Sequence, residues 1–585
     1  WEVSPGRNKI ADYDDLRAVL ASGSKNADVT AELIWVGEGR EDDFKNIDVS
    51  GKIVVTSGSA SRVHNYAIAN GAEGVITFNS PKPLVDPVQI PWRGIWGENA
   101  RFAFNLNARE GYLLRDRLLQ GEQIKVHVVV EAAMRGYELQ VPTAVIKGTD
   151  PEAGEIIISA HLFEGYTKQG ANDDISGCAA ILEVAHTLNT LIKEGRIPRP
   201  VRNIRFIWVP EFSGTIPWVK ANKELMENTL CNINLDMVGL WLSKSHSHLC
   251  LMRTTYGNPH YLNDVMEHYY RFVGENNRES ITTRRYSQQL KRIVAPSGSD
   301  EPFYYKIETH YGASDHEVFN DWGVQVPGIM MITWPDFFYH TSEDRPYNSD
   351  PTQLKRTIVI TAAAVYTMAN ADDDMAMNIA GETYSNASKR IGHQLARGLD
   401  ELNQATSENF DHVYKKVRGY IEAAVLNEKE TLGSVLELIT TDMEKVKQYV
   451  QTLKAGVEDM GKAHLVALEQ HMQIVAGRIK STPVDISLSS LEKKALNIIP
   501  KPTGKVKENG YRGWTEAIRA LPEMFLEKYQ YEDVEDTREL PRLINGSHSA
   551  LDIKKMLDTQ LRTESDLTAI MNYLEVLKEA GLIEF

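Results

Sequence analysis

Between residues 137 and 372 the chain alternates short apolar runs with amphipathic helical stretches, and this alternation constrains the fold more than any other feature. TAVIKG, EIIISAHL, NIRFIWVP, CNINLDMVG, LCLMRT and VPGIMMITW read as strands. SGCAAILEVAHTLNTLI, IPWVKANKEL, PHYLNDVMEHYYRFV and LKRTIVITAAAVYTMA read as helices. Buried strands that alternate with helices predict an α/β layer architecture, here a mixed sheet with helices on both faces. In such layers ligands bind beyond the carboxyl ends of the strands.

Five residues are expected there or in the adjoining loops, each at the end of an apolar, strand-like run. They are His161 in SAHLF, Asp173 in GANDDISG, Glu211 in IWVPEFSGT, Asp236 in NINLDMVG and His340 in FFYHTSED. Imidazoles and carboxylates gathered at strand ends make a hard-to-borderline metal site, and the residue types suit Zn²⁺. An open coordination position there turns water into a nucleophile. Asp236 stands where an apolar residue would otherwise continue the strand. An unpaired buried carboxylate is costly, so a cation partner is the economical reading and a salt bridge to Arg or Lys the alternative. His161 leaves a strand with nothing to solvate it, although a lone histidine in that setting is more often structural. In the octet Gly170–Gly177 the glycines allow a tight path. Ser176 can cap the following helix, with Asp174 an acid in its first turn; this explains Asp173 less well. Two His and two Asp from separate strands would serve one or two Zn²⁺ ions, with Glu211 the candidate general base.

Bulk properties remove other classes. The chain has 585 residues, enough for several domains, and 42% of them are hydrophobic. A formal charge of −16 argues against a nucleic-acid partner or adsorption to anionic membranes. No apolar run approaches the roughly 18 residues of a membrane helix, so no membrane insertion is expected. Cys178, Cys231 and Cys250 cannot build a disulfide framework. Asn386 and Asn545 stand in glycosylation triplets. Neither a Gly-x-Ser-x-Gly elbow before a helix nor a His-Glu-x-x-His motif occurs. Asp300 and Glu301 could meet a substrate amine, with loop solvation the blander reading. His246, His248 and Cys250 alternate, which fits an edge strand better than a metal triplet. Arg253 and Arg345 near motif ends keep recognition of a substrate carboxylate open.

The domain reading is a segment over 1–29 with a short helical piece, a β-rich domain over 30–135, the α/β domain over 136–372 and a helical domain over 373–500. Residues 501–585 follow as a winged-helix-like module of two helices and a terminal strand. The acidic content of that module favours packing or assembly, and the C-terminal helices offer a route to homo-oligomers.

GANDDISG, NINLDMVG, GASDHEVF and YHTSED, in that order, resemble the zinc aminopeptidase family over roughly 137–372. The family includes transferrin-receptor and glutamate-carboxypeptidase relatives and glutaminyl cyclases. PEFSGT and GSDEPFY, with the winged-helix-like tail, resemble a less studied aminopeptidase-like branch. GKIVV and AIANGAEGVITF resemble the protease-associated domain that accompanies such peptidases, which favours an extracellular or cell-envelope location. The resemblance implies a zinc exopeptidase that removes N-terminal residues from peptides with a metal-activated water. It implies Asp173 bridging two zinc ions, His161 and Asp236 on one and His340 on the other. Asp315 and His316 would orient substrate or a ligand. The family pairs two glutamates where this chain has Glu211 followed by Phe212, so Glu211 is either base or ligand. An acidic residue usual two positions after the first histidine is here Phe163, with Glu164 a substitute. The alternatives are a catalytically weak or inactive peptide- or partner-binding relative of the transferrin-receptor type, and glutaminyl-cyclase-like acyl transfer.

Overall fold

Two sheets organise the protein, described over residues 1–283, 293–441 and 443–585 by a computed structural model. The first contains β1 (Glu2–Ser4), β2 (Ala27–Trp35), β3 (Ile53–Thr56), β4 (Gly74–Thr77), β5 (Ala103–Asn105) and β6 (Lys125–Val130). Their order is β1-β6-β2-β3-β4-β5. β2 to β5 run parallel, while β6 pairs antiparallel with β1 and β2. Helices α1 (Ala60–Ala69) and α2 (Ala108–Leu119) complete this domain. The N-cap of α2 is Asn107, whose side chain accepts the Glu110 N–H. The helical piece expected near residue 17 shrinks to a single 3-10 turn, Arg17–Val19. Ala21 N–H instead donates to the Ala103 carbonyl at 2.9 Å, so the backbone pairs along β5 rather than coiling. Residues 1–29 thus join the first sheet instead of standing apart.

The second sheet holds β7 (Thr143–Ile146), β8 (Glu155–Phe163), β9 (Asn203–Pro210), β10 (Thr229–Leu235), β11 (His248–Met252), β12 (Tyr305–Glu308) and β13 (Gly328–Trp334). The order is β12-β11-β13-β10-β8-β9-β7. The four central strands β13, β10, β8 and β9 are parallel, with antiparallel neighbours β11 and β7 at either side. Both faces are covered. Ile156, Ile158 and Ile233 pack with α3 (Gly177–Lys193), α4 (Leu262–Thr283) and α5 (Pro351–Ala369). Ile157, Ile207 and Val209 pack with Val219, Val318 and Phe319 of two short helices on the other side. Strands covered on both sides lose the apolar–polar alternation of a half-exposed sheet, which is why these runs were legible. The stretch Ala171–Lys193, containing α3, is long and apolar enough to cross a membrane by length and composition. Here its apolar face, Ile181 and Val184, belongs to the core of the sheet.

Helices α6 (Asp373–Asn403), α7 (Phe410–Ser434) and α8 (Met443–Ile479) extend that same core rather than starting a new one. Asn386 is buried there and donates to Asp264 at 2.9 Å, which leaves its side chain inaccessible to glycosylation. Near the C-terminus α9 (Ala550–Leu561) and α10 (Leu567–Glu579) share a separate core with Trp322 and Trp514, and β14 (Lys501–Pro502) pairs with β15 (Ile583–Glu584). His246, His248 and Cys250 do not gather: His246 occupies a left-handed turn before β11, His248 is exposed, and Cys250 is buried among Met237, Met252 and Met330.

Candidate metal centre

Three parallel neighbours end at one edge of the second sheet, and their ends carry three of the expected residues. His161 lies two residues before the end of β8, Glu211 directly follows β9 and Asp236 directly follows β10. Asp173 and His340 come from the adjoining loops rather than from strands of their own, one before α3 and one beyond β13. Buried side chains position them. Asp344 accepts the N–H of Asn172 at 2.6 Å and of Asp173 at 3.0 Å. The Asp174 carboxylate accepts three backbone N–H groups, from His161 (3.0 Å), Gly177 (2.9 Å) and Met237 (3.0 Å). Asp174 is therefore a buried clamp joining β8, α3 and the exit of β10, not an acid serving the helix terminus alone. Asn172 extends the same scaffold, donating to Asp336 at 3.0 Å and accepting from Gly239 N–H at 3.0 Å. Asp344, Asp336 and Asn172 were not foreseen, although Asn172 and Asp344 stand inside the two motifs that flagged Asp173 and His340. Phe212, Met237 and His340 hold positive φ of 48°, 59° and 54°. Left-handed backbone at non-glycine residues costs about 1–3 kcal/mol each and concentrates at functional sites.

Asp173 is the centre of the cluster. Its Oδ1 lies 3.2 Å from His161 Nε2, and its Oδ2 lies 3.1 Å from His340 Nε2 and 2.7 Å from Lys168 Nζ. His161 Nε2 is also 3.5 Å from Asp236 Oδ1. Glu164 faces His340 Nε2 at 3.1 Å and contacts Lys168, so it supports the second histidine rather than His161. Ligand atoms of His161, Glu211 and Asp236 lie within 4.8 Å of one another, and so do those of His161, Glu164 and Asp173.

The electrostatics show strong mutual dependence. Burial by itself would depress His161, but the Asp236 and Asp173 carboxylates outweigh it and hold the imidazole well above its ordinary range. Burial would likewise raise Asp173, yet its bonds to His161 and His340 and the nearby Lys168 charge keep it well below. Burial pushes Glu211 up to about 8 and Asp344 up to about 7. Among the described residues neither Glu211 nor Asp236 has a lysine or arginine ion-pair partner, so the salt-bridge alternative for Asp236 is not realised. The buried Oδ1 of Asp236 finds no hydrogen-bond partner in the protein, whereas Oδ2 of Asp173 and Nε2 of His340 meet Lys168, Glu164 and each other as ion pairs. Buried carboxylates and an imidazole gathered around Asp236 and Asp173 Oδ1 are a donor set a divalent cation satisfies, and the residues present fit zinc.

A cavity of about 440 Å³ opens above these groups, lined by Glu164, Asp173, Glu211, Asp236, Glu308 and His340, with Tyr311, Tyr339 and Trp334 among its walls. The N-terminal domain does not line it but contacts His340 from outside. Trp92 N–H donates to the His340 carbonyl at 2.7 Å, and the Trp92 ring meets the His340 ring edge-on at 5.0 Å. Asp315 and His316 lie beneath this cavity and do not line it; both are fully buried. Asp315 accepts Phe212 N–H (2.8 Å) and the Thr215 hydroxyl (2.6 Å), which fixes the turn carrying Glu211. His316 Nε2 bonds the Tyr311 carbonyl at 3.0 Å, and burial depresses it to about 4. A helix start between the two directs neighbours in sequence to different places. Glu301 accepts from Trp241 and Ser243, Arg253 pairs with Glu267 and Arg345 bonds the Ser342 carbonyl. None of these three lines the cavity.

The chain is similar in structure to an aminopeptidase from Aneurinibacillus sp. strain AM-1 (24% identity, TM-score 0.36, covering 60% of this chain and 76% of that one). It is similar to a zinc aminopeptidase from Bacillus subtilis (21% identity, TM-score 0.42, covering 60% and 78%). It is also similar to a Peptidase M28 precursor from Shewanella amazonensis SB2B (16% identity, TM-score 0.43, covering 63% and 80%). No curated protein matches the chain. Residues 143–365 match Peptidase family M28. That matched span contains His161, Asp173, Glu211, Asp236 and His340.

Proposed function

We propose that the chain is a zinc-dependent aminopeptidase that removes N-terminal residues from peptides. The cavity itself carries the reading: Glu164, Asp173, Glu211, Asp236 and Glu308 line it, and no lysine or arginine is among its described lining residues. Such a wall attracts a free substrate amine and repels a free carboxylate. Glu308, at the end of β12, accepts the Tyr311 hydroxyl at 3.2 Å and pairs with the exposed Lys306, for which a substrate amine would compete.

His161, Asp173 and Asp236 would hold a zinc ion, which when bound supplies the Lewis acidity that polarises a carbonyl and lowers the pKa of water from about 15.7 toward about 7. Glu211 sits beside His161 and Asp236, while Glu164 takes the position next to His340. This division leaves Glu211 as the general base. Its carboxylate accepts the proton of the attacking water and returns it to the leaving amine, a contribution of roughly 10²–10⁴-fold. Asp315 holds the turn that aims Glu211, and Tyr311 and Tyr339 are the hydroxyl donors available to a developing oxyanion.

The test is a panel of aminoacyl-fluorophores, their N-acetylated counterparts and peptides read for C-terminal release, each with chelator and with zinc restored. Cleavage confined to free-amine substrates, lost on chelation and recovered with zinc, is the expected result. C-terminal release, or turnover untouched by chelator, refutes the assignment.

A further inference from the structure

We propose that the Lys168 ammonium occupies the second cation position, so that this centre binds one metal ion where its two groups of donors would otherwise take two. The inference rests on reading the cluster as a metal centre. Asp173 divides it. Toward Oδ1 stand His161, Asp236 and Glu211, a group of donors with no lysine or arginine partner among the described residues for its carboxylates Asp236 and Glu211. Toward Oδ2 stand His340 and Glu164, and here a positive charge is already built in. Lys168 Nζ lies 2.7 Å from Asp173 Oδ2 and contacts Glu164, with its side chain only 4% exposed.

Two carboxylates and an imidazole that face one point require a cation there, and an ammonium buried away from water requires carboxylates. Each demand meets the other within the chain. The ammonium is also held in place. It lies 5.9 Å from the centroid of the Trp92 ring, within cation–π reach. The same ring presses on the loop bearing Lys168: a Cβ on Gly165 would come within 2.5 Å of Trp92. Trp92 belongs to the N-terminal domain, so that domain locks the lysine over the half-site it fills. A divalent ion entering beside His340 would have to displace this ammonium or sit against its charge. His340 then serves to flank Asp173 and Glu164 rather than to ligate.

Metal stoichiometry tests the assignment without reference to activity. The full chain is stripped with chelator, loaded with excess zinc, desalted and assayed by elemental analysis. One equivalent is expected for the wild type and for Lys168→Arg, and two for Lys168→Met, in which His340, Glu164 and Asp173 are freed. Loading with Co²⁺ should give the magnetic resonance signal of an isolated high-spin ion in the wild type and of a coupled pair in Lys168→Met. Two equivalents in the wild type overturn the proposal without any variant. One equivalent in a folded Lys168→Met, judged by circular dichroism, also overturns it. No bound metal in any of these proteins would instead defeat the metal-centre reading on which it stands.

Discussion

Oδ2 of Asp173 lies 3.1 Å from Nε2 of His340, although the two residues come from separate loops and neither belongs to a strand. The contact exists because each loop is anchored from outside. Asp344 fixes the backbone of Asp173, and Trp92, reaching across from the first domain, fixes that of His340.

Replacing Asp344 with Asn tests the first anchor. The amide keeps one acceptor oxygen but must turn an NH₂ toward one of two backbone donors, Asn172 or Asp173. Loss of such a supporting contact typically weakens metal affinity about 10–100-fold. Competition with a zinc chelator should show that loss while the melting temperature changes little. Unchanged affinity would remove Asp344 from the support of the site.

The division of roles between the glutamates predicts that Glu211→Gln abolishes a proton acceptor without removing a ligand. Turnover should fall by roughly 10²–10⁴ with bound metal unchanged. Loss of a metal equivalent in this variant would make Glu211 a ligand instead.

Gly165→Ala addresses the packing of Trp92 from the N-terminal domain on the loop that carries Lys168. The added methyl would meet the Trp92 ring at 2.5 Å, so the ring or the loop must shift. Overpacking of this kind costs about 1–3 kcal/mol. A shifted tryptophan emission and a lower denaturant midpoint are the expected signs, and an unaltered midpoint would contradict the packing described.

Glu317 ties the C-terminal module to the α/β domain. It accepts from Arg542 at 2.7 Å and lies 3.6 Å from His310. Burial would raise its carboxyl, but the neighbouring His310 and the Arg542 charge prevail and hold it far below the usual range. A depressed carboxyl stabilises the folded state above its unfolded value of about 4.3. That contribution is lost as pH falls below this value and through the depressed one. Resistance to denaturant should therefore fall with acidification in the wild type, and less steeply in Glu317→Gln. At pH 7 the variant should lose about 1.5–3 kcal/mol, the range of a charge-assisted bond. An identical pH slope in both proteins would separate Glu317 from this docking.

Much of the α/β domain was legible from residues alone. The runs EIIISAHL, NIRFIWVP, CNINLD and VPGIMMITW became the four central parallel strands, because burial on both faces leaves an uninterrupted apolar signature in each segment. His161, Glu211 and Asp236 followed, since a polar residue closing such a run must lie at the sheet edge. The short strands β1, β5 and β12 left no such signature, as three or four residues at a sheet margin carry too little periodicity.

What tertiary structure decided is which charges meet. In sequence Lys168 is one polar residue in a loop, Asp174 an acid before a helix, and Asp315 and His316 a pair at the substrate. Folding turned the first into a buried counter-charge, the second into a backbone clamp and the third into support beneath the cavity. Hydrophobic periodicity is a property of a few consecutive residues, so the chain announces its strands locally. The charge state and partner of a buried polar group depend on what distant segments bring to it, and here that includes a tryptophan from another domain.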